Sequence, residues 1–75
     1  MIVHFLEVGR DKKSWSKDFG DSAHESAIAR EAKSGARLMS SDVDVEINDG
    51  YSAGAVIVGG WRTVGTFTIE RGAAQ

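Results

Sequence analysis

The stretch Asp42-Val43-Asp44-Val45-Glu46-Ile47-Asn48-Asp49-Gly50 alternates acid with β-branched residue and then runs into a turn. Successive strand side chains point to opposite faces. Val43, Val45 and Ile47 therefore share one face, and Asp42, Asp44 and Glu46 the other. One face is suited to a core, and the other to water or a basic partner. That pattern belongs to a sheet covered on one side only, which is usually antiparallel.

The flanking segments extend this reading. Ile2–Val8 is short and rich in β-branched and aromatic residues, a strand signal. Gly9 to Lys13 is polar and turn-like, and Ser14–Phe19 alternates weakly, with Trp15 and Phe19 on one parity. The spacing predicts a second strand there, paired back on the first. Ser22-Ala23-His24-Glu25 has the S-x-x-E form of a capping box, so a helix is expected over about residues 22–34. Asp21 and Glu25 place negative charge at its positive end. Its apolar residues are Ile28 and a set of alanines, as expected for a helix lying close on a sheet, and Gly35 is its expected stop. Ala53–Val58 and Trp61–Glu70 read as two further strands around a Gly59-Gly60 hairpin, with Gly65 marking a bulge or a close approach. Residues 71–75 read as a frayed tail. The expected fold is one α+β domain over residues 1–75: a mainly antiparallel five-stranded sheet with one helix on one face, in the order ββαβββ.

On strict alternation, Trp61, Thr63, Gly65, Phe67 and Ile69 share one face of the last strand, and Arg62, Val64, Thr66 and Thr68 the other. Val56, Val58, Val64 and the threonines would then form a partly apolar surface away from the helix. Such a surface beside charge is characteristic of an interaction site.

Length and composition bound the function. A chain of 75 residues has a thin core, and with no cysteine it has neither disulfides nor thiolate metal sites. Good packing or self-association is the expected source of stability, with a tendency to form a homodimer through a strand edge at Ile2–Val8 or Trp61–Glu70 or through the open sheet face. There is no signal-peptide pattern and no apolar run approaching the ~18 residues of a membrane span, so a cytoplasmic protein with no membrane partner is expected. Nine basic against eleven acidic residues give a net charge of −2, which disfavours direct nucleic-acid binding. Arg10, Lys12, Lys13 and Lys17 nevertheless form a local basic cluster around Trp15.

No catalytic signature appears. There is no G-x-S-x-G elbow. His4 lies within a strand, where packing or surface exposure accounts for it, and His24 lies in the first helical turn. The glycines at 54, 59, 60 and 65 lie between strands and precede no helix, so they are turn glycines and not a phosphate loop. Asp42, Asp44 and Glu46 stand ~6–7 Å apart per step, too widely spaced to hold one ion without ligands from another strand. No catalytic residue, metal or cofactor is expected.

In the strand Ile2–Val8, the Trp15–Phe19 segment, the Ser22-x-x-Glu25 helix start and the Gly59-Gly60 hairpin, the chain resembles the small phage-encoded anti-CRISPR proteins. Some of these pack one helix on an antiparallel sheet in the same order. The resemblance is one of architecture, size and acidic balance, and it carries over no functional residue. It implies a non-enzymatic inhibitor acting in the host cytoplasm by stoichiometric occlusion of a CRISPR effector complex. In that reading Asp42, Asp44, Glu46 and Asp49 would meet basic residues of the partner, with Trp15, Trp61 and Arg62 as anchors. The alternative is a nucleic-acid-binding or regulatory module using Arg10, Lys12, Lys13 and Lys17.

Overall fold

The computed structural model describes residues 1–21, 24–39 and 42–70. Five strands and one helix follow in the expected order: β1 (Ile2–Val8), β2 (Lys13–Asp18), α1 (Glu25–Gly35), β3 (Val43–Ile47), β4 (Ala53–Val58) and β5 (Arg62–Glu70). The strands form one antiparallel sheet in the order β2-β1-β5-β4-β3, with α1 on one face. The first and last strands are therefore central. The edges are β2 and β3, not Ile2–Val8 or Trp61–Glu70 as the sequence suggests.

The core lies between α1 and the sheet. Ile28, Ala29 and Ala32 of α1 pack with Val3, Phe5, Val8, Val45, Val56, Phe67 and Ile69. A single rung organises this layer. Trp15, Phe5, Phe67 and Gly54 are successive cross-strand neighbours. Trp15 stacks on Phe5 with centroids 4.6 Å apart, and Phe67 tilts against Phe5 at 6.0 Å. Phe67 occupies the space where a side chain at 54 would stand. Offset and tilted ring pairs add ~0.5–1.5 kcal/mol each beyond the area that they bury.

Two bulges break the alternation. Leu6 and Glu7 together face Ser14 across the β1–β2 ladder, and Glu7 has φ 51. This is why Phe5 and Val8, three apart, both point into the core. On β5 the register slips between Val56 and Ile57, leaving Val64 as the extra residue. Beyond it the faces exchange. Thr63 pairs with Ile57 on the uncovered face, while Arg62, opposite Val58, and Val64 turn to the helix side. The expected apolar outer surface of Val56, Val58 and Val64 is thus incorrect: Val56 is fully buried and Val64 packs on the core.

α1 starts at Glu25, later than the sequence suggests, and its N-cap is His24, with no side-chain cap bond. Ser22, the expected cap, and residues 71–75 lie outside the described residues. At its other end α1 closes in a Schellman turn, Leu38 N–H donating to Lys33 O and Arg37 N–H to Ser34 O. Gly35 does not occupy the left-handed position after the helix; Arg37 does, at φ 54. Gly35 is small because Trp15 lies on it.

Candidate interaction surfaces

The face opposite α1 carries no element among those described, and register specifies its composition. One rung reads Leu6, Thr66, Ala55 and Glu46 across β1, β5, β4 and β3. The next toward the hairpin tip reads Thr63, Ile57 and Asp44. Toward the other end lies Ser16, His4, Thr68 and Ala53, followed by Asp18, Ile2 and Glu70. The middle of this face is small or apolar, with a shallow depression beside Leu6, Thr63 and Thr66. Leu6 is 44% exposed. Asp44 and Glu46 border it along β3, both exposed and neither salt-bridged among the described residues.

The other expected acids do not extend that border evenly. Asp42 precedes β3 at the end where Gly59 N–H donates to its carbonyl, and Asp49 lies in the turn at the opposite end. Among the described residues no three carboxylates or imidazoles are grouped as metal ligands would be.

The expected anchors separate. Trp15 is half-buried under α1, stacked on Phe5, and its Nε1–H donates to Glu31 Oε2 at 3.0 Å. It packs against the core, and its ring is engaged by Phe5 and α1. Trp61 lies in the turn just before β5 and is 81% exposed, and Arg62 follows it at the start of the strand.

The basic segment is likewise divided. Arg10 and Asp11 sit in the β1–β2 turn, and Lys13 and Lys17 lie on edge strand β2 to either side of Trp15. Arg10 and Asp11 line a groove of about 390 Å³ that Arg37, Leu38 and Met39 enter from the end of α1, and Val58, Arg62 and Val64 from the β4–β5 hairpin. Three arginines, from the β1–β2 turn, the exit of α1 and the start of β5, thus line one groove at one end of the sheet. Arg37 went unnoticed in the sequence, because nothing local marks it as close to Arg10 or Arg62.

A second arrangement was also hidden. His4 Nδ1 lies 2.6 Å from Ser16 Oγ, and Nε2 lies 2.8 Å from Glu70 Oε1. These are the atom types of a serine–histidine–acid relay. Nucleophilic hydrolysis also needs convergent donors for an oxyanion. The central-strand amides around His4 are engaged in the ladders on both sides, and the site lies on the uncovered, exposed face. The contact ties β2, β1 and β5 together across the surface.

No helix among the described residues is long and apolar enough to cross a membrane. The chain matches no family model, no curated protein and no solved structure.

Proposed function

We propose that this chain is a non-catalytic binding protein whose uncovered sheet face docks on a basic surface of a larger protein. The observation that carries the reading is the rung Leu6–Thr66–Ala55–Glu46, together with Ile57 and Asp44 beside it. A strip of small and apolar side chains supplies contact area, and the exposed acids at its margin, without an ion pair among the described residues, supply orientation and speed of encounter. Protein surfaces that handle nucleic acid offer that basic partner chemistry, and the resemblance to phage-encoded inhibitors implies a CRISPR effector complex among them. An inhibitor of this kind acts by occupancy and requires no reacting group.

The test is affinity capture from host lysate with matched baits. Asp44→Lys combined with Glu46→Lys is expected to lose the partner held by the wild type while keeping the fold, since Val43, Val45 and Ile47 are untouched. Capture should weaken as salt rises, because exposed charges are screened beyond ~8–10 Å at moderate ionic strength. Lys12→Glu, Lys13→Glu and Lys17→Glu together should leave capture intact. The opposite ranking would favour the nucleic-acid reading and overturn this one.

A further inference from the structure

The groove at the other surface, between the β1–β2 turn, the exit of α1 and the β4–β5 hairpin, has the opposite sign. Arg10, Arg37 and Arg62 line it, and none has a carboxylate within salt-bridge distance among the described residues. One acid, Asp11, shares the lining. The remaining walls include aliphatic side chains, Leu38, Val58 and Val64. Met39, 96% exposed, stands at its rim.

Arg37 supplies an independent observation. It occupies the left-handed position of the Schellman turn, at φ 54, where glycine is the usual residue. A side chain there strains the backbone, as it does at Glu7, Lys12 and Tyr51, and at position 37 the residue held in that conformation is an arginine that lines the groove.

We propose that the groove binds an acidic, aliphatic peptide segment of a partner protein. Guanidinium groups hold carboxylates bidentately, and the valine and leucine walls accept the neighbouring aliphatic side chains. A nucleic-acid strand fits less well. The lining offers no aromatic face on which a base could stack, and its aliphatic walls suit side chains better than phosphates. The volume falls in the range of ligand pockets, ~300–1,000 Å³, and suits one or two side chains. The site is separate from the acidic face and does not depend on the function proposed for it.

Fluorescence anisotropy with a short labelled peptide of alternating glutamate and leucine tests the proposal on the full chain. Saturable binding is expected, with amide shifts in NMR spectra confined to Gly9–Asp11, Ala36–Met39 and Arg62–Val64. Arg10→Gln and Arg62→Gln should each weaken binding about tenfold or more, as the loss of a charged hydrogen bond does. Arg37→Gly should weaken it similarly while raising the melting temperature, a split that a purely structural arginine would not produce. Asp44→Lys with Glu46→Lys should leave this binding in place, so failure here and failure of the sheet-face reading are separable. Equal binding of the glutamine-for-glutamate peptide, binding only of a short oligothymidylate, no binding, or unchanged affinity in Arg37→Gly would each overturn the proposal.

Discussion

A β-carbon built on Gly35 would stand 2.4 Å from Cζ2 of Trp15, and one on Gly54 would stand 2.2 Å from the carbonyl oxygen of Glu46. Alanine is intrinsically better than glycine in a helix by ~1 kcal/mol. At Gly35 the clash is expected to override that preference. Gly35→Ala should destabilise the domain by ~1–3 kcal/mol in urea denaturation, with a shift in Trp15 emission as the ring is displaced. Gly54→Ala should be worse, because its nearest neighbour is backbone and cannot swing away. These roles were not legible in the sequence. A glycine near a helix end has an ordinary explanation as a stop, and only the rung through Trp15 reveals the other. Trp15 itself shows the same limit: aromatic residues are favoured both as core plugs and as binding anchors, and the segment Lys13–Asp18 is polar enough to suit either.

The elements were legible where periodicity is strong. β1, β4 and β5 follow from their β-branched runs, β3 from its acid alternation, and the β4–β5 hairpin from its two glycines. The faces were less so, because a bulge adds one residue and leaves no mark on composition. At β1 the bulge carries Glu7 in a left-handed conformation, with its amide donating to Ser14 Oγ at 3.1 Å. Glu7→Gly should be tolerated with a gain of up to ~1 kcal/mol from relieved strain. Deleting Glu7 should instead restore strict alternation with Phe5 and Val8 two apart and both still facing the core, so a cooperative melt by circular dichroism is expected to survive. Loss of the cooperative melt in the deletion variant would show that the bulge does more than bring Val8 to the core face. The helix start illustrates a different limit: S-x-x-E is a local signal, and α1 begins at Glu25 with His24 at its cap.

At the scale of the molecule, each sheet edge is guarded by charge, Lys13 and Lys17 on β2 and Asp44 and Glu46 on β3. Copies meeting β3 to β3 would oppose acids, a device that natural sheets use against edge pairing. Replacing Asp44 and Glu46 with valine is therefore expected to cause concentration-dependent association in sedimentation, while the wild type should show none through this edge. The overall order of elements was readable from the chain, but which strands lie at the edges was not, because nothing in β1 or β5 announces their partnership. That partnership has a temporal consequence. Ile2 pairs with Glu70, so the sheet closes only when the earliest and latest strands meet. During synthesis β1 is exposed long before β5 is made, and the β1–β2 hairpin alone is marginal. The chain therefore completes its fold after translation has passed Glu70, in one late step. Ribosome-stalled chains lacking β5 should remain protease-sensitive throughout, becoming resistant once β5 has cleared the exit tunnel.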